Sequence, residues 1–173
     1  NEDGVDEVGV RLVCVTGPFE GMADGDDAVA RTRKGQTVIA EFFDSELRRD
    51  SYGDRAYAIQ KVNLVSKACG KESTRRSIVK SVGSALDEFS DDFAFTHAVA
   101  KSIGHDDETT TTSSSFIEYA PKEILHELLW SRLSRHPESI VRERAFVGME
   151  RAIKRLSQTD INEFAFAVLN EER

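Results

Sequence analysis

The chain has 173 residues, 39% of them hydrophobic and 31% charged, with three prolines and a formal net charge of −8. That is enough apolar material for one substantial core without metals or disulfides, and the composition excludes a globally disordered chain. No run approaches the roughly 18 apolar residues of a membrane helix, so a soluble protein without membrane association is expected.

Charge is unevenly distributed along this length. Residues 1 to 30 carry eight acidic side chains against the single cation Arg11, a local net of −7, whereas residues 31 to 173 are almost neutral. Residues 1 to 7 form an acidic leader that lacks the basic and apolar segments of a secretory signal. The two cysteines, Cys14 and Cys69, match no metal-ligand spacing and read as structural thiols. So sparse a count suits a reducing compartment, and an intracellular, cytoplasmic location is expected.

Val8, Val10, Leu12 and Cys14 alternate with Gly9, Arg11, Val13 and Val15, the period of two expected of a strand. Gly17-Pro18 marks a turn, residues 20 to 36 read as an exposed connection, and Thr37 to Phe43 reads as a second strand. Residues 8 to 70 are thus a small β-containing N-terminal region, although Ile59, Val62 and Val65 within it have helical spacing.

The pattern changes from residue 71. Ile78, Val82, Leu86, Phe89 and Phe93 step by four, four, three and four along one helix face, with Ser90-Asp91-Asp92 able to split the segment and Gly104 to end it. Residues 105 to 115 contain no large apolar side chain and read as a flexible loop. Pro121 suits the first turn of a helix presenting Ile124, Leu125, Leu128, Leu129 and Leu133. Pro137 suits the first turn of another, presenting Ile140, Val141, Ala145, Phe146, Met149 and Ile153. Asp160 with Glu163 marks the start of a last helix carrying Phe164, Phe166, Val168 and Leu169. The expectation is an α+β, mostly α chain: a bundle of four or more helices with a small N-terminal β element, compact as one domain.

Motifs that carry chemistry are sparse. His97, His105, His126 and His136 include no i, i+4 pair, and no HExxH occurs. Gly17 to Gly21 lacks the Lys-Ser/Thr of a phosphate loop, and there is no GxSxG elbow. No catalytic group, metal or cofactor is therefore expected. Cations gather at Arg75, Arg76 and Lys80, and again at Arg142, Arg144, Arg151 and Arg155. Residues 120 to 156 hold eight Lys and Arg against five Glu. These seven cations are the candidate contacts for RNA or DNA, but the excess is small for a nucleic-acid domain.

Arg132-Leu133-Ser134-Arg135-His136 resembles the arginine-to-histidine motif of HEPN-type helical ribonucleases, whose catalytic Arg and His lie at one helix end. Here three residues separate the two, one short of the usual minimum of four, and Pro137 stands where a polar residue is often found. The resemblance covers five of 173 residues and implies, as a remote alternative, a dimeric ribonuclease using Arg132 and His136. His136 to Leu156, with Pro137, Val141, Arg142, Ala145 and Ile153, resembles one helix of a HEAT-type repeat. No second copy follows at a regular period, so no repeat array is expected.

The reading that remains is a non-enzymatic binding or adaptor protein, a subunit of a larger assembly or a homo-oligomer. Trp130, Phe146, Phe164 and Phe166 are its candidate protein contacts, because the last helix carries apolar residues on more than one face. Nucleic-acid binding is the alternative.

Overall fold

The computed structural model describes residues 33–69, 72–104, 116–118 and 120–171. The expected strand Val8 to Val15, the acidic leader and the 105 to 115 loop lie outside the described residues. Among those described there is no strand.

Thr37 to Phe43, expected as a strand, lies instead within helix α1, Arg33–Leu47. Ile39, Phe43 and Leu47 recur every four residues, and Phe43 and Leu47 are fully buried. The helical period set by Leu47 overrides the local β preference of Val, Ile and Phe. Helix α2, Tyr52–Gln60, is capped by Ser51, whose hydroxyl accepts the Asp54 amide at 3.4 Å. A break at Lys61 separates it from α3, Val62–Ala68.

Helix α4, Glu72–Glu88, buries Ile78, Val79, Val82, Ala85 and Leu86, as its spacing predicts. The Ser90-Asp91-Asp92 break separates it from α5, Phe93–Gly104. Asp92 caps α5 by accepting the Phe95 amide at 3.0 Å. A 3₁₀ turn, Phe116–Glu118, precedes α6, the single turn Pro121–Glu123 with Pro121 in its first position.

Chain winding then changes: α6 runs on into a π-helix, π1, Ile124–Leu133. The Ser134 amide donates five residues back to the Leu129 carbonyl at 2.8 Å, and the Ser131 hydroxyl donates five back to His126 at 2.7 Å. Ten residues is long for this winding, which usually occurs as a single-turn bulge. The expected apolar face, Ile124, Leu125, Leu128, Leu129 and Leu133, is fully buried. Two glycines face it. A Cβ on Gly148 would lie 2.9 Å from Leu129 Cδ2, and one on Gly83 would lie 3.4 Å from the Arg132 guanidinium.

Helix α7, Ser139–Ile153, starts two residues later than Pro137 leads one to expect, with Glu138 as its extended N-cap residue. Helix α8, Gln158–Glu171, also starts differently from expectation. Its cap is Ser157, whose hydroxyl accepts the Asp160 amide at 3.2 Å and donates to Asp160 Oδ2 at 2.6 Å. Asp160 is therefore the third residue of a capping box, and Glu163 is free to reach Lys122.

Packing pairs these elements into three helix hairpins, α1 with α2, α4 with α5, and π1 with α7. The hairpins stack, so that α1, α4 and π1 form one layer and α2, α5 and α7 the other. Ion pairs give the directions. Arg48 and Glu88 join the ends of α1 and α4. Arg76 and Glu123 join the starts of α4 and α6 at 3.0 Å, while Arg132 and Asp87 join the ends of π1 and α4 at 2.7 Å. In the second layer Arg55 meets Asp92 at 2.8 Å near the starts of α2 and α5, and Asn63 Nδ2 donates to the Ser102 carbonyl at 3.4 Å near their ends. Helices within a layer are thus parallel, and each hairpin crosses from one layer to the other. One apolar cluster runs between the layers, from Phe43 and Leu47 to Met149 and Ala152.

Candidate functional site

The cations singled out in the sequence divide between the layers, Arg75, Arg76 and Lys80 on α4 and the others on or just beyond α7. Most hold the fold together. Arg75 Nε donates to the Cys69 carbonyl at 2.7 Å, Arg76 pairs with Glu123, and Arg155 reaches Glu118 Oε1 at 2.6 Å. Arg142 Nη1 donates to the carbonyls of His136 and Pro137, closing the turn before α7. Arg151 is half-buried. Lys80 and Arg144 are exposed and have no ion pair among the described residues.

Arg132 and His136 are committed to different ties. Arg132 holds Asp87 through two bonds, at 2.7 and 2.8 Å, and also donates to the Glu127 carbonyl. The Arg132 hydrogen bond holds the Asp87 carboxyl below its ordinary pKa against a smaller upward push from burial. His136 Nδ1 accepts the Glu138 amide at 3.1 Å at the entrance to α7. Cys69 is buried, and burial raises its thiol pKa to about 11 despite the opposing pull of Arg75, so it stays protonated near neutral pH. Cys14 lies outside the described residues. No group of three His, Cys, Asp or Glu among those residues is placed to hold a metal ion, and no helix there is long and apolar enough to cross a membrane.

The four aromatic candidates separate into a packed pair and an exposed pair. Phe164 of α8 meets Trp130 of π1 edge-on at 6.0 Å and His126 at 6.5 Å. Lys122 adds bonds to Asp160 Oδ1 at 3.3 Å and Glu163 Oε2 at 2.6 Å, so the N-terminal half of α8 is anchored on π1. Phe146 is 55% and Phe166 69% exposed. Val147 and Leu169 join them, so that α7 and α8 hold four of the six exposed large apolar side chains among the described residues. The periodicity of α8 shows apolar residues on several faces, and the structure assigns Phe164 to packing and Phe166 with Leu169 to solvent.

The other two, Tyr52 and Phe93, flank a cleft of about 470 Å³ between α2 and α5, which sequence reasoning did not find. Ala56, Ala94 and Ala98 leave its space, and Phe93 stacks on His97 at 5.8 Å. Exposed Lys101 and Gln60 stand toward its far end. The only legible signal was the pair Ala94 and Ala98, four apart on α5.

Comparison with known proteins finds no matching family model, no matching curated protein and no matching solved structure.

Proposed function

We propose that the chain acts by binding, as an adaptor or subunit of a larger protein assembly, and that its contact surface is the C-terminal edge of the hairpin stack formed by α7 and α8. One observation carries this reading: Phe146, Val147, Phe166 and Leu169 are all exposed on two helices consecutive in the chain. Scattered single apolar residues need no explanation, but two exposed phenylalanines with two exposed aliphatic residues on the last two described helices do. Aromatic anchors of this kind dominate protein contacts. The arginines give weaker support to nucleic-acid binding, since several of those near this edge are spent on Glu118 and on backbone carbonyls.

The test is affinity capture with the full chain against the double variant Phe166→Glu, Leu169→Glu, in high salt and after nuclease treatment. Bound protein should survive both treatments and be lost with the double variant. Capture that is unchanged by the double variant, or abolished by nuclease, would overturn the reading.

A further inference from the structure

The cleft between α2 and α5 has an aromatic ring on each wall. Tyr52, the first residue of α2, is 52% exposed, and Phe93, the first residue of α5, is 46% exposed and stacks on His97 with the ring planes 19° apart. The two helices run parallel, so the opposite end of the cleft is marked by Gln60, the last residue of α2, and by Lys101 in the last turn of α5. Eight residues of helix separate Phe93 from Lys101, a rise of about 12 Å. Between them Ala56, Ala94 and Ala98 leave about 470 Å³, the size of a small-molecule site.

The polar groups of the cleft divide into spent and unspent. Asn63 is spent, because its Nδ2 donates to the Ser102 carbonyl and its Oδ1 accepts the Phe116 amide. The Tyr52 hydroxyl, the Gln60 amide, the His97 imidazole and the Lys101 ammonium have no hydrogen bond or ion pair among the described residues. Other cations of the stack are tied: Arg48, Arg55, Arg76, Lys122, Arg132 and Arg155 each hold a carboxylate. Among the described residues no Asp or Glu lines the cleft, although the chain has 31 of them and a net charge of −8. A hollow flanked by rings, clear of carboxylates and holding one unneutralised ammonium at its end is complementary to a flat ring that carries a negative charge.

We propose that the α2–α5 cleft binds a small aromatic anion, its rings against Tyr52 and Phe93 and its carboxylate, sulfonate or phosphate on Lys101, with Gln60 and His97 as hydrogen-bonding partners. The single ammonium selects a small ligand over a nucleic acid, whose phosphate backbone is held by several cations at once. The length of the cleft selects it over a peptide, since about 12 Å spans fewer than four extended residues. The site lies on α2 and α5, apart from the α7–α8 edge, and stands or falls independently of it.

The experiment is a fluorescence titration of the purified full chain with two probes: anilinonaphthalene sulfonate, and phenylnaphthylamine, which keeps the rings and lacks the sulfonate. The wild type should bind one sulfonate probe per chain, and the neutral probe about tenfold more weakly, as loss of one ion pair of about 1.4 kcal/mol requires. Lys101→Glu should bring the sulfonate probe down to the level of the neutral one and leave the neutral one unchanged. Ala98→Trp, which fills the cleft, should remove both, and Phe166→Glu with Leu169→Glu should alter neither. Lys101 is exposed, so Lys101→Glu keeps the far-ultraviolet spectrum and decides the matter even where Ala98→Trp fails to fold. No saturable binding up to about 1 mM, equal affinity for the two probes, or indifference to Lys101→Glu would overturn the site. Loss of binding with the α7–α8 double variant would move the probe to that edge, and displacement by a thymidylate oligonucleotide would make the cleft a nucleic-acid contact; either result overturns the proposal.

Discussion

Two arginine-rich corners of the molecule put the same chemistry to different ends. At the α2–α5 corner, Arg55 is buried; it donates to the Arg49 carbonyl at 2.6 Å, the Asp50 carbonyl at 3.0 Å and Asp92 Oδ2 at 2.8 Å, and it lies 4.2 Å from the centre of the Phe89 ring. One side chain thereby ties the α1–α2 connection to the α4–α5 turn. At the C-terminal edge Arg144 is exposed in the same helix as exposed Phe146 and Val147, whereas Arg142 closes the turn before α7 and Arg155 holds Glu118. Burial makes the first corner a joint of the fold, and exposure leaves Arg144 and the two apolar side chains after it in solvent. Position in the stack, more than residue type, separates an arginine that joins elements from one left in solvent.

The largest effect is expected at the buried joint. Arg55→Ala removes three hydrogen bonds and strands Asp92, and should cost about 3 kcal/mol in denaturant unfolding. A loss below about 1 kcal/mol would place Arg55 with ordinary surface ion pairs. The π-helix offers the next test. Gly148→Ala drives a methyl into Leu129 and should destabilise by about 1–2 kcal/mol, whereas Gly83→Ala meets only ordinary contact and should be neutral or stabilise by up to about 1 kcal/mol. Equal effects at the two glycines would mean that π1 does not depend on close approach by α7.

Acid should strike the joint as well. Burial pushes the Asp92 carboxyl upward, but the Arg55 hydrogen bond and the amides of Phe95 and Ala94 outweigh it and hold the pKa below the ordinary value. A carboxylate depressed in the folded state contributes stability above its unfolded pKa, and that contribution disappears as pH falls through the folded value. Stability should therefore decline below about pH 4, and less steeply in Asp92→Asn, as read from midpoints across a pH series. The smallest effect on stability is expected at the edge, where Phe166→Glu with Leu169→Glu should change unfolding by less than about 0.5 kcal/mol while abolishing association.

The same contrast governs what the sequence reveals. The apolar stripe of α4, the break at Asp92 and the role of Pro121 were legible because spacing and turn chemistry agree with the tertiary structure. Thr37 to Phe43 misleads because it is apolar enough for a strand, and only Leu47, beyond its end, restores the helical period. The stack of hairpins was invisible because it repeats in space without repeating in sequence: α4 spans 17 residues where π1 spans ten and α1 fifteen. Winding in π1 also escapes propensity, since its apolar residues read as the stripe of an ordinary helix. Among the candidate contacts, sequence period could not divide Phe164 from Phe166. That division comes from Trp130, which covers one and not the other.

The most direct measurement places a photo-crosslinking side chain at position 166, with position 80 as control, and identifies what each captures in cell extract. Position 166 should yield one discrete protein adduct, whether a second copy or another chain, and position 80 should yield none. An unreacted position 166 beside nucleic-acid adducts at position 80 would contradict the assignment of the α7–α8 edge as the binding surface.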